Sequence, residues 1–223
     1  MVLIHTEKYI ADNFAKLLPI IGDFFQDAPL YFPISEDSKY YDLFSNLSVS
    51  ELQGIHDAEL AKNGRKWSIS GYLENRATAL RNFPQMAAQE RFYHLGIDIN
   101  APCGTKLYTP YDCEVVISGY DAGEGNYGGF IVMKCHNVQN GIFYMLFGHL
   151  SPSKLPPIGA FLNEGDEFAE FGNMGENGNW PYHTHLQILT QKAFDEGWAY
   201  KGYCTKDEVS TINEYCPDPF LYL

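Results

Sequence analysis

Four of the chain's seven histidines fall in short motifs whose residue types can hold a metal ion and move protons. His94 is followed four residues later by Asp98, His149 lies between glycine and leucine, and one threonine separates His183 from His185. Zinc accepts imidazole nitrogen and carboxylate oxygen, and a catalytic site uses three such ligands and leaves a fourth position for water. A histidine beyond those three is free for proton transfer, because its ordinary pKa lies near neutrality. A lone histidine reads as an exposed or hydrogen-bonded side chain. Four in this arrangement make chance placement a poor explanation.

Spacing says what must position them. As a strand, residues 183–188 alternate across a sheet, so His183, His185 and Gln187 share one face and Thr184, Leu186 and Ile188 the other. In a fully extended chain His94 and Asp98 would lie roughly 13 Å apart. Both reach one metal only if the chain bends, and Gly96 permits the bend. Residues 142–149 read as a strand with Phe143, Met145, Phe147 and His149 on one face. They pair with residues 130–135 through a turn at Asn140 and Gly141. Residues 113–119 form another strand, 121–129 a glycine-rich loop, and Phe161 and residues 168–171 further short strands. Many short strands with such turns imply an antiparallel sandwich or barrel. The loop at 173–180 is expected to wall a groove, with Asn177, Trp180 and Tyr182 touching substrate. His5, His56 and His136 are read as non-catalytic.

The first 90 residues differ. Ile10, Phe14, Leu17 and Leu18 stand at near-helical spacing over residues 8–18, and Pro19 should end or kink that helix. Ser48 or Ser50 can cap a second helix running to Lys62. An extended stretch is expected around Gly71 and Tyr72.

The region from about Arg91 to Leu189 resembles the lysostaphin-like zinc metallopeptidases, the LytM type, whose signature is His-x-x-x-Asp, a later His and a closing His-x-His. Here these are His94 and Asp98, then His149, then His183 and His185. The turn from Ala101 to Pro110 and the glycine-punctuated stretch from Asn163 to Gly175 look like the family as well. The resemblance implies zinc as cofactor, one per chain, held by His94, Asp98 and His185, with His149 and His183 as assisting catalytic histidines. It implies an α+β chain with a mainly antiparallel β core, the duplicated hybrid motif. The division is then a helical N-terminal extension over 1–85, a peptidase core over 86–192, and a C-terminal segment over 193–223 packing on the core. The implied activity is that of a metallo-endopeptidase cleaving peptide bonds through a zinc-bound water. Thr184 stands where the family has an apolar residue and Gln187 where an acidic one is common; neither change removes a ligand. A narrower set, including Gly71, Tyr72, Glu74, Arg76, Asn177 and Trp180, resembles a branch that also occurs inside larger proteins between kinase-like and aminotransferase-like domains. Gly71 to Arg76 should therefore lie close to the site, and the usual peptidoglycan role is in question. Two other readings use the same residues: a zinc amidase acting on a small non-peptide substrate, and a non-catalytic binding module that kept the fold. The complete ligand set weighs against the second.

Composition bounds the partners. The chain has 223 residues, 45% of them hydrophobic, enough to build a core, and a net charge of -13. That charge argues against nucleic acid or an anionic membrane surface. No apolar run is long enough to span a bilayer. Glu7, Lys8, Asp12 and Lys16 interrupt any signal-peptide pattern. With Met1 taken as the native start, the expectation is a cytoplasmic enzyme acting on peptide or small amide substrates, its oligomeric state open. The five cysteines are an odd number without a Cys-x-x-Cys pair, which suits reduced thiols. A bridge between Cys204 and Cys216 is left open.

Overall fold

The backbone alternates short strands with tight turns from residue 93 onward, as the spacing of apolar residues and glycines requires. The computed structural model describes residues 5–22, 27–41, 43, 47–81 and 83–223. Among them, the strands in chain order are β1 Leu30–Tyr31, β2 Ser68–Ser70, β3 Tyr93–His94, β4 Ile97–Asn100, β5 Lys106–Tyr108, β6 Cys113–Asp121, β7 Gly128–Asn137, β8 Gly141–Leu150, β9 Phe161–Leu162, β10 Glu167–Glu170, β11 His183–Leu189 and β12 Tyr203–Cys204. Eight form one sheet in the order β1-β2-β4-β11-β8-β7-β6-β9, and β10–β5 and β12–β3 form two small antiparallel pairs. Only β1–β2 is parallel within the large sheet. The expected hairpin is β7–β8, and Gly141, with φ 68°, supplies the left-handed residue its turn needs.

One face of β4, β11 and β8 makes the core. Ile97, Ile99, Leu186, Ile188, Met145 and Phe147 are at most 1% exposed there, and each such side chain contributes roughly 1.5–3 kcal/mol. The opposite face carries Asp98, Asn100, His183, His185 and Gln187, because β11 pairs with β4 in the register His183↔Asn100 and His185↔Asp98.

His149 departs from its expected face. The β7–β8 register moves from Ile131↔Phe147 to Gly129↔Leu150, two steps on β7 against three on β8. The extra residue in β8 is a bulge, and His149 within it adopts φ 63°. A one-residue slip inverts every following side chain. His149 therefore leaves the face of Phe143, Met145 and Phe147 and joins the histidines of β11. A left-handed non-glycine residue costs about 1–2 kcal/mol. The conformation is held by hydrogen bonds from the His149 N–H to the Tyr127 carbonyl (2.8 Å) and from the Gly172 N–H to the His149 carbonyl (3.0 Å).

The N-terminal part supplies both helices and strands. Glu7–Asn13 is helical and continues through a 3-10 turn at Phe14–Leu17 into Leu18–Ile21. Pro19 does not end this run. It sits in the first turn of Leu18–Ile21, where the missing N–H forfeits no bond. The helix Val49–Lys62 starts on Ser48 with a capping box to Glu51, as its sequence suggests. β2 then pairs with β4, and Trp67 and Ile69 beside it are wholly buried, so residues before 86 extend the sheet that carries the site. At the other end Ile212, Cys216 and Phe220 pack into the core. Among the described residues no helix is long and apolar enough to cross a membrane.

The expectation of reduced thiols throughout is corrected. Cys113 and Cys135 face each other across β6 and β7, with Cα atoms 4.4 Å apart, and form a disulfide. Strand register brings them together, which a separation of 22 residues does not reveal. Cys204 and Cys216 are free and buried, so the bridge left open between them is not formed.

Gly96 shows what its position demands. A Cβ there would lie 2.3 Å from the Leu186 carbonyl oxygen and 2.8 Å from His185 Cε1. Space rather than a left-handed φ is the reason for glycine. Gly96→Ala is expected to lower unfolding free energy by roughly 1–3 kcal/mol through overpacking. Urea denaturation measures this, and an unchanged midpoint would contradict the close approach of β4 to β11.

Candidate active site

Three buried side chains meet at one point. His94 ends β3, the chain bends at Gly96, and Asp98 returns in β4 opposite His185 of β11. His94 Nε2 lies 2.9 Å from His185 Nδ1 and 3.2 Å from Asp98 Oδ1, and His185 Nδ1 lies 3.2 Å from Asp98 Oδ1. Ligands on zinc bonds of roughly 2.0–2.2 Å in tetrahedral geometry stand about 3.3–3.6 Å apart. Among the described residues this is the one cluster of its kind that could hold a metal ion.

Hydrogen bonds on the far sides of the rings decide which atoms face inward. His94 Nδ1 donates to the Gly71 carbonyl at 2.9 Å, which leaves the Nε2 lone pair pointing into the cluster. His185 Nε2 donates to Gln187 Oε1 at 2.9 Å, leaving the Nδ1 lone pair inward. The orientation of the Gln187 amide is set in turn, because its Nε2 donates to the Lys201 carbonyl at 3.2 Å. Two imidazole lone pairs and a carboxylate oxygen thus converge with no proton between them, an arrangement that a cation satisfies. Gln187, where the resemblance would put an acidic residue, orients His185 through its oxygen alone.

Asp98 is held by its other oxygen. Arg76 Nη1 donates to Asp98 Oδ2 at 2.6 Å, while Arg76 Nε and Nη2 reach Glu74 Oε2 at 3.1 and 2.9 Å. Glu74 also accepts the Gly71 and Ile34 N–H groups, at 2.6 and 3.2 Å. All three charged side chains are buried. The stretch from Gly71 to Arg76 therefore contacts the cluster as expected. Burial and then the Arg76 charge push the pKa of His94 down to about 3. Burial acts to raise the Asp98 carboxyl, but His94 and Arg76 outweigh it and hold the group well below the usual carboxylate range. Both groups are kept in the forms that bind metal.

His149 and His183 stand beside the cluster with ring centroids 4.2 Å apart. Each gives its Nδ1 proton to a backbone carbonyl, His149 to Asn177 at 2.8 Å and His183 to Pro181 at 2.7 Å. Their Nε2 atoms are left as acceptors, and that of His183 is 3.9 Å from Asp98 Oδ1. Burial lowers both pKa values; the neighbouring His183 and His185 lower His149 further, while the Asp98 charge partly offsets the shift of His183. Two pockets flank the cluster. One is lined by His149, His185, Arg91 and Tyr127, the other by His183, Asp98, Ile34 and Leu80, and Trp180 and Tyr203 border both.

Of the residues expected to touch substrate, Trp180 borders both pockets. The Asn177 side chain is buried and bonded to the Trp180 N–H and carbonyl, so it shapes the loop that orients His149. Tyr182 lines neither pocket, and its N–H is bound by Gln53 Oε1 at 2.7 Å. His136 is exposed, His5 is buried against Tyr9, and His56 is buried beside the Ser68 hydroxyl. Residue reading alone missed Arg91, Tyr127 and Tyr203, since a lone arginine or tyrosine carries no spacing signal.

Residues 92–196 match the model of the family described as peptidase family M23. A zinc containing peptidase from Vibrio cholerae is 22% identical over 45% of this chain and 28% of its own, with a TM-score of 0.37. The catalytic domain of the antimicrobial peptidase lysostaphin from Staphylococcus simulans is 21% identical over 44% of this chain and 68% of its own, with a TM-score of 0.37. The catalytic domain of a prophage-encoded M23 protein from Enterococcus faecalis is 20% identical over 52% of this chain and 77% of its own, with a TM-score of 0.38. The match thus spans less than a third of the Vibrio cholerae protein. No curated protein sequence matches the chain.

Arg76→Lys keeps the charge but loses the fork that bridges Asp98 and Glu74. Loss of a partner behind a ligand typically lowers metal affinity about 10–100-fold. Competition with a chelator should read a drop of that order for zinc, and parent-like affinity would remove Arg76 from the site's support.

Proposed function

We propose that the protein is a zinc-dependent peptidase acting on short peptides, from the premise that residues 92–196, which match the model of peptidase family M23, form a domain of that kind. The observation that carries this reading is the convergence of His94 Nε2, Asp98 Oδ1 and His185 Nδ1, with two further histidines presenting free Nε2 atoms beside them. Zinc bound by those three atoms would supply a Lewis acid that polarises the scissile carbonyl and lowers the pKa of water toward about 7.

The chain's own residues divide the remaining work. His149 and His183 are neutral at pH 7, because burial depresses both. Each can accept a proton at Nε2, and once protonated in a buried setting each is a strong acid toward a leaving amine. Their Nδ1–H groups stay fixed on backbone carbonyls, so neither ring must turn to exchange a proton. His149 faces one flanking pocket and His183 the other. A peptide laid between the pockets therefore meets one histidine on each side of the cluster. Trp180, with ring centroids 6.3 and 6.5 Å from His149 and His183, covers both.

Substrate size follows from enclosure. The three proposed ligand residues and both histidines are each less than a tenth exposed. Ile34, Ala79 and Leu80 wall one pocket, and Gln85 and Met86 the other, all from residues that precede the stretch matching the family model. Short peptides fit such a site better than an intact polymer, and glycine-rich and muropeptide-like peptides are the first to try.

Purified without added metal, the protein should carry close to one zinc per chain, and His185→Ala should lose it. His149→Ala and His183→Ala should keep the zinc and lose roughly 10²–10⁴ in rate on a peptide substrate. Full activity in both variants would defeat the mechanism. The pH profile follows from the neutral form being the active one. Folded-state pKa values below 6.5 mean that activity is present above them and falls as pH drops through them. The acid limb of kcat/KM should therefore lie below pH 6.5, with zinc content measured at each pH to separate it from metal loss.

A further inference from the structure

The pocket lined by His149 and His185 holds polar groups that the reaction above leaves unused. Tyr127 is 6% exposed, and its hydroxyl is buried with no hydrogen-bond partner. Arg91 Nε is likewise buried and unpartnered. The rest of that guanidinium has one long contact, from Nη2 to the Gln85 carbonyl at 3.5 Å, and no carboxylate within ion-pair distance among the described residues. Buried donors without partners are rare enough to require an explanation. Among the described residues that line the pocket, Arg91 is the only arginine or lysine and Asp121 the only carboxylate. Asp121 is already engaged, through Asn126 Nδ2 at 3.3 Å and the Tyr127 N–H at 3.4 Å. The space measures about 60 Å³, room for about four water molecules, which suits a terminal group better than a continuing chain.

We propose that this pocket is a carboxylate subsite, in which Arg91 and the Tyr127 hydroxyl bind the free carboxylate of a peptide or N-acyl amino acid one residue from the scissile amide. The planar guanidinium matches a carboxylate in shape as well as charge. The same pocket reaches His149 and His185, so a carboxylate anchored there puts the neighbouring amide beside the cluster. Cleavage would then release a terminal residue, in place of the internal cleavage that the family resemblance implies. The proposal rests on the peptidase reading for its chemistry, but its binding test does not.

Isothermal titration of the zinc-loaded protein with N-acetylglycine and with N-acetylglycinamide compares ligands that differ only at the terminal group. The acid should bind about 10–100-fold more tightly, as hydrogen bonds to a charged group imply, and in Arg91→Gln this preference should vanish while zinc content and melting temperature stay at parent values. Equal binding of acid and amide to the parent, or an undiminished preference in Arg91→Gln, which would place the carboxylate on zinc, overturns the subsite. Tyr127→Phe removes one oxygen only and gives a second reading should Arg91→Gln not fold: a loss of about threefold to tenfold in acid affinity is expected, and no change overturns the role of the hydroxyl. Absence of any peptide hydrolysis alongside an intact, Arg91-dependent preference for the acid would refute the peptidase reading and leave the subsite standing.

Discussion

Two imidazole lone pairs and one carboxylate oxygen point at a common centre inside the protein, and the surrounding structure serves to keep them there. Left alone, such groups would repel one another, take up protons or turn away. Each is prevented from turning by a hydrogen bond on its outer side: His94 by the Gly71 carbonyl, His185 by Gln187, Asp98 by Arg76. Those partners are themselves fixed, Gln187 by the Lys201 carbonyl and Arg76 by Glu74. The arrangement is rigid because it is bonded two layers deep in a site that water scarcely reaches. A buried arginine and glutamate would be costly as isolated charges. Here they neutralise each other and share their remaining donors and acceptors with Asp98 and with backbone N–H groups.

This support comes largely from outside the region that matches the family model. Gly71, Glu74 and Arg76 precede residue 92, and Lys201 and Tyr203 follow residue 196. The same flanking parts wall the two pockets. The N-terminal strands, joined to β4 through β2, and the C-terminal segment, paired to β3 through β12, are thus connected to the site through the sheets and not merely laid over it. A substrate that enters meets a narrow space whose chemistry changes from one side to the other: Arg91 and Tyr127 on one side, Ile34 and Leu80 on the other.

His149 illustrates how a strand can be bent to a chemical purpose. A regular β8 would bury it among Phe143, Met145 and Phe147. The bulge and the left-handed backbone at His149 bring the ring to the face of β11 instead, where the Asn177 carbonyl receives its Nδ1 proton. Local strain of about 1–2 kcal/mol is tolerated because neighbouring backbone groups from Tyr127 and Gly172 hold the conformation.

Much of this was determined by residue type and spacing alone. Alternation in residues 183–188 put His183, His185 and Gln187 on one face, and β11 keeps them there. The four-residue step from His94 to Asp98 demanded a bend, which Gly96 permits, and the hairpin at Asn140 and Gly141 and a helix cap at Ser48 or Ser50 follow from local turn and capping chemistry. Such features act over a few residues, so a sequence displays them directly. The tertiary structure alone decided what depends on register and on distant partners. The bulge that moves His149, the Cys113–Cys135 bridge, the Arg76 and Glu74 support, and the pairing of Arg91 with Tyr127 in one pocket join residues whose proximity no local pattern encodes. Side-chain direction in a sheet reverses with a single inserted residue, and a buried ion pair is set by packing rather than by spacing, so both become visible only when the strands are laid side by side.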